Sequence, residues 1–147
     1  MRAIYICTFF FLGLLKCFSQ DIDSLKQQVN KAADSDRFDM ILGYMRSNLN
    51  SNPQASLIAS NYALEFAQEK KDSLLLTKAL YAKGFIHRRL NNLNESVSIL
   101  TQAHLIAKRN SYNDEVVRIS NSLAIAYTFI GSYDKALKYH FESLTIN

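Results

Sequence analysis

The sequence predicts an all-α protein built as an α-solenoid of antiparallel helix pairs, on three observations. Its 147 residues hold only four Gly and one Pro, and few β-branched runs occur beyond Leu15. Its apolar residues recur at helical spacing between short polar breaks. Finally, a stretch repeats: Asn121 to Leu144 has a weaker copy at Tyr81 to His104, and a third, weaker still, lies as far back again. A helical hairpin cannot bury its apolar face alone. Stacked hairpins bury a continuous core, and about three are needed for independent stability.

The chain opens on a segment outside this pattern. Met1-Arg2 supplies a positive start, and Ala3 to Leu15 is apolar or uncharged. That stretch makes about 20 Å of helix, short of a bilayer core of roughly 30 Å. It reads as a secretory signal peptide over residues 1–19, not a membrane span. Cys17 and Ser19 stand at the −3 and −1 positions of a cut before Gln20. Cys17 also raises a lipid anchor, against which Lys16 speaks, and an uncleaved signal anchor is the other alternative. The expected location is periplasmic or extracellular. Both cysteines, Cys7 and Cys17, leave with the segment, so no disulfide is expected. Without Arg2 and Lys16, the 17 basic residues fall to 15 against 13 acidic, a net of +2. Such a mixed surface offers neither a nucleic-acid stripe nor a polybasic membrane patch.

The elements follow in order. Over residues 20–34, Ile22, Leu25, Val29 and Ala32 mark one face of a capping helix, with Asp21 as its N-cap. Phe38, Ile41, Leu42, Met45 and Leu49 give the next helix, Asp36 to Leu49. Asn52 caps the following one and Pro53 fits its first turn; it runs to about Lys70 with Leu57, Ala59, Ala63, Phe66 and Ala67 inward. Asp72 caps a helix from Ser73 to about Leu90, which Asn91 to Asn94 end. Glu95 to Arg109 is next. After a turn at Asn110 to Asn113, Asp114 and Glu115 favour a helix start; that helix reaches Ile130, where Gly131 stops it. Tyr133 to Ile146 is the last. Residues 35–147 thus form three helix pairs, about 35–72, 73–112 and 113–147.

The copies coincide position by position. Leu76, Ala79, Leu80, Gly84 and His87 match Val116, Ile119, Ser120, Ala124 and Tyr127. Leu93, Ser96, Val97, Leu100 and Ala103 match Tyr133, Ala136, Leu137, His140 and Ser143. Ser56, Leu57, Ser60 and Ala63 join from the first pair, whose first helix is displaced by about one position. Gly84 and Ala124 mark where paired helices cross closely. These residues resemble the tetratricopeptide repeat family, whose signature W-x2-L-G-x2-Y then A-x3-F is met in part by Leu123-Ala124-x2-Tyr127 and Ala136-x3-His140. Gly131-Ser132-Tyr133-Asp134-Lys135-Ala136 is similar to the family's turn. The resemblance covers about Asp36 to Leu144 and implies a right-handed solenoid. The period is about 40 where the family's is about 34. The family's closing Pro is also missing, so the second helix of each pair has no evident stop and can run on. A long-helix variant explains both; HEAT-like repeats, with a period near ~40, are the runner-up.

No catalytic constellation is present. His87, His104 and His140 do not pair at metal-ligand spacing with an acid, and His87 and His140 take aromatic positions of the repeat. The four glycines are isolated, and no serine stands in a nucleophile elbow. Neither enzyme activity, cofactor nor metal is expected. Lys78, Tyr81, Phe85, Arg88, Arg118, Asn121, Ile125 and Phe129 lie off the packing face of the first helices. The resemblance implies that these helices line a concave surface where a protein or peptide binds. Cations between aromatic rings suit acidic groups on that partner, while a plain solvated face is the alternative. The resemblance further implies an exported scaffold, such as the sensory N-terminal part of a bacterial envelope signalling protein; the rival is a structural or assembly-factor repeat. Leu137, Phe141, Leu144 and Ile146 are expected to lack cover, which points to self-association or to an array that continues past this segment.

Overall fold

The computed structural model describes residues 22–146. The expected signal segment and the Asp21 cap lie outside the described residues. Among the described residues seven helices follow one another: α1 over residues 22–31, α2 (Asp34–Asn48), α3 (Pro53–Glu69), α4 (Ser73–Arg89), α5 (Leu93–Arg109), α6 (Asn113–Ile130) and α7 (Tyr133–Thr145). No strand occurs among the described residues. From α2 onward each helix packs on the next. In addition α2 approaches α4 and α4 approaches α6, whereas α3, α5 and α7 keep their backbones apart. The first helices of the pairs therefore form the inner, concave side of the array and the second helices the outer side.

The core is continuous along the stack. Leu25 and Val29 of α1 are buried with Phe38, Ile41 and Met45 of α2. Leu64 and Leu76 touch both that cluster and a second one, built on Leu100, Ile119 and Leu123. The closest crossing is at Gly84, where an added Cβ would lie 2.7 Å from Leu100 Cγ and 2.8 Å from its Cδ2. The Ser96 hydroxyl donates to the Gly84 carbonyl at 2.8 Å across the same crossing. In the third pair the matching Ala124 and Ala136 are both buried.

The first pair repeats this contact one position short of the full period. There the Ser56 hydroxyl donates to the Met45 carbonyl at 2.8 Å, so Met45 stands where Gly84 does in the second pair. The turn between α2 and α3 explains the missing position. The later turns each hold one residue in the left-handed region, at Lys71, Asn91, Ser111 and Gly131, and the turn over residues 49–52 holds none.

Two of those turns, the ones that end α3 and α5, also correct the expectation that the second helices run on. Asp72, Asn92, Tyr112 and Ser132 donate their backbone N–H groups to Ala67, His87, Ala107 and Tyr127, while the left-handed residues donate to Gln68, Arg88, Lys108 and Thr128. This double bond closes a helix end without proline. From α3 onward each helix and its turn together fill half a period. Because the turn closes so tightly, α5 begins at Leu93 and not at Glu95. The expected caps are in place: Asn52 accepts from the Ala55 N–H, and Asp72 from those of Leu74 and Leu75.

A second difference concerns α7. Of its expected inward residues Ala136 is buried, whereas Tyr133, Leu137 and His140 are exposed. They occupy the face that the following hairpin covers on α5. His140 is consequently left at the surface, unlike His87, whose half-buried ring is pushed by burial to a lower pKa.

Candidate protein-binding groove

The inner helices enclose a groove of about 480 Å³, lined from α2 by Asp39, Leu42, Met45, Arg46 and the adjoining Leu49, from α4 by Lys78, Tyr81, Ala82, Phe85 and Ile86, and from α6 by Glu115 and Arg118. That volume lies within the range of sites that enclose a small ligand or the side chains of a peptide. Helical spacing aligns the lining residues: 78, 81/82 and 85 recur every turn on α4, as do 39, 42, 46 and 49 along α2. Carried back by the same shortened period that takes Gly84 to Met45, Lys78, Tyr81, Phe85 and Arg88 fall on Asp39, Leu42, Arg46 and Leu49. The groove is therefore one helix face used twice.

Its floor is apolar and aromatic. The Tyr81 and Phe85 rings lie 6.4 Å apart, tilted by 44°, and the Arg88 guanidinium sits 4.9 Å over the Phe85 ring. Burial pushes the Tyr81 hydroxyl above its ordinary pKa, against the pull of Arg88 and Arg118. Burial also lowers the pKa of Arg88, whose Nε is enclosed without a hydrogen-bond partner. Such an orphaned donor is costly until something accepts from it. The groove's charges are mixed but basic in excess, with Arg46, Lys78 and Arg118 against the exposed Asp39 and the buried Glu115. None of these five forms an ion pair within 4 Å among the described residues. The three cations are thus left for an outside acid.

The eight residues expected to face a partner do not stay together. Lys78, Tyr81, Phe85 and Arg118 line the groove, and Arg88 stacks on its floor. Asn121 instead accepts a hydrogen bond of 2.9 Å from the Ser143 hydroxyl of α7. Ile125 and Phe129 are exposed farther along α6 and line no part of the groove. Sequence comparison misses the contribution of α2, because the full repeat shift sets its polar and apolar positions out of phase. The shift shortened by one position recovers them.

Of the structural repeat positions, Gly131 takes the left-handed conformation at φ 84° and Tyr127 stacks on Tyr139 at 5.7 Å. Tyr139 in turn meets His104 edge-on. Sequence reading also misses the node on Glu142. Its carboxylate accepts from Lys108 Nζ at 2.7 Å, His104 Nε2 at 2.8 Å and the Ser120 hydroxyl at 3.0 Å, tying α7 to α5 and α6. Burial lowers the His104 pKa despite the facing carboxylate, so the ring is neutral at pH 7 and donates its Nε2–H, since a carboxylate only accepts. Burial pushes the Glu142 carboxyl up, but the hydrogen bonds from Lys108 and Ser120 and the Lys108 charge outweigh it and hold the group low. No spacing along one helix announces a node drawn from three.

Comparison with known proteins matches residues 75–147 to the tetratricopeptide repeat family. No curated protein and no solved structure gives a significant match. The match spans the second and third helix pairs, with their close crossing at Gly84, their glycine-stopped turn at Gly131 and the α4 and α6 side of the groove. The chain belongs to the tetratricopeptide repeat family.

Proposed function

We propose that the chain is an exported scaffold whose concave groove holds a segment of another protein, with acidic groups flanking apolar side chains. Repeats of this family mediate protein–protein interaction, and the family is a scaffold fold, typically without catalysis. The observation that carries the specific reading is the groove itself: an apolar floor under Arg46, Lys78 and Arg118, none of them neutralised by an ion pair among the described residues. Arginine and lysine gain most from carboxylates that bring charge-assisted hydrogen bonds, while Leu42, Tyr81 and Phe85 receive the apolar part. Export is supported by the positive start and the apolar stretch from Ala3 to Leu15. A sensory role in envelope signalling fits an exported binding array; an assembly factor is the second reading, supported by the same groove.

The test is a pull-down from envelope extract with the parent and with Lys78→Glu and Arg118→Glu combined. The expected outcome is loss of the captured protein with helicity retained by circular dichroism. An unchanged set of captured proteins overturns the assignment of the groove. Self-association, the other contact expected from the sequence, uses none of these residues.

A further inference from the structure

Among the described residues, the Glu115 carboxylate is buried and unpartnered. Only 5% of Glu115 is exposed, yet its side chain joins no ion pair within 4 Å and no hydrogen bond there. The other ionisable side chain buried to this degree among the described residues, His104, is answered by Glu142 at 2.8 Å. Glu115 stands in the first turn of α6, where the helix dipole favours an acid. That field makes a carboxylate tolerable but supplies none of the hydrogen bonds that a buried oxygen wants. Asp114, on the same turn, uses the field while remaining exposed.

Glu115 is reached from two sides. With Lys78 and Arg118 it lines both the groove and a second cavity of about 420 Å³ at the N-terminal ends of α4 and α6, which Leu74, Tyr112 and Asn113 also bound. A segment that entered the groove with acids alone would close like charges over this carboxylate and strip its remaining water, at a heavy desolvation cost. A donor carried by the segment removes that cost, and the adjoining floor favours a cationic one. Burial is the larger cause of the raised Tyr81 pKa, but the hydroxyl also feels the Glu115 charge, so ring and carboxylate act on one space. The neighbouring Phe85 ring already seats the Arg88 guanidinium at 4.9 Å, and an aromatic face receives an outside ammonium or guanidinium in the same way. Resting on the groove reading above, we propose that Glu115 is a cation subsite: the bound segment carries one lysine or arginine whose side chain crosses the Tyr81 ring and donates to the Glu115 carboxylate, while its acids meet Arg46, Lys78 and Arg118.

Selection of a random peptide library displayed on phage tests this, against the parent, Glu115→Gln, and Lys78→Glu combined with Arg118→Glu. The parent is expected to enrich acids and apolar residues together with one fixed basic position. Glu115→Gln should enrich the same acids without that position, and the combined variant should lose the acids and keep the base. In a peptide selected on the parent, changing the base to Gln should weaken binding to the parent at least about tenfold. On Glu115→Gln the same change should have little effect. Gln keeps the shape of the side chain, so circular dichroism should be unchanged; should helicity fall, Glu115→Leu is read in the same way. Acids enriched by the parent with no fixed base, or a basic position that survives the loss of the Glu115 charge, overturns the subsite and leaves the groove reading standing. Enrichment of nothing above background overturns both.

Discussion

Gly84 fixes how near α4 and α5 come to each other. A Cβ there would stand well inside normal contact distance of Leu100 Cγ, an atom close to the backbone and unable to swing far. Overpacking of this kind destabilises by ~1–3 kcal/mol. Gly84→Leu is expected to fall in or above that range, and Ala124→Leu within it, by thermal denaturation. Variants that melt with the parent would show that the crossing is looser than its geometry. Gly84 is readable in the sequence as a lone glycine inside a helical pattern and in phase with Ala124. Its partner Ser96 is readable as a small residue in the right place, but not as the donor of a buried hydrogen bond.

At the scale of the element, the turns separate what sequence shows from what it hides. Gly131 announces its helix end, because glycine enters the left-handed region without penalty. Lys71, Asn91 and Ser111 adopt the same region at φ 51°, 61° and 57°, and their side chains give little notice of it; asparagine alone is tolerant there. For an L-residue the conformation costs roughly 1–2 kcal/mol, partly offset in a glycine variant by the extra freedom of its unfolded chain. Lys71→Gly and Ser111→Gly should therefore each stabilise by about 0.5–1 kcal/mol, and Asn91→Gly by less, in urea unfolding. Destabilisation by either of the first two would mean that the side chain contributes more than its backbone strain removes. The helices themselves are legible because each keeps a strong apolar period. The Glu142 node is not, since its partners precede Glu142 in sequence by 22 to 38 residues.

At the scale of the whole molecule, the array is legible from its repetition, while only four of the twelve residues that line the groove are. Lys78, Tyr81, Phe85 and Arg118 stand out as cations and rings on an inner face. Asp39, Leu42, Arg46 and Leu49 do not, because a phase difference of one position rotates a helical comparison by about 100°. The proposed export belongs to this scale too. If residues 1–19 are removed, intact-mass measurement of the secreted or periplasmic product should find a chain beginning at Gln20, as pyroglutamate. A mass that retains those residues, or an acylated Cys17, would sink the reading.

The short turn before α3 has a consequence for how such a chain tolerates change in length. It amounts to a deletion of one position relative to the other hairpins, already present and already accommodated. Each hairpin is held chiefly by its immediate neighbours, as in quasi-one-dimensional arrays, so a lost residue rotates one helix face against the next pair and leaves the remaining pairings untouched. In α2 that rotation still delivers Leu42 and Arg46 to the inner side. Lengthening or shortening at a turn thus redraws the lining of the concave face while the stack stays whole, which makes turn length a means of altering what the array binds without altering what it is.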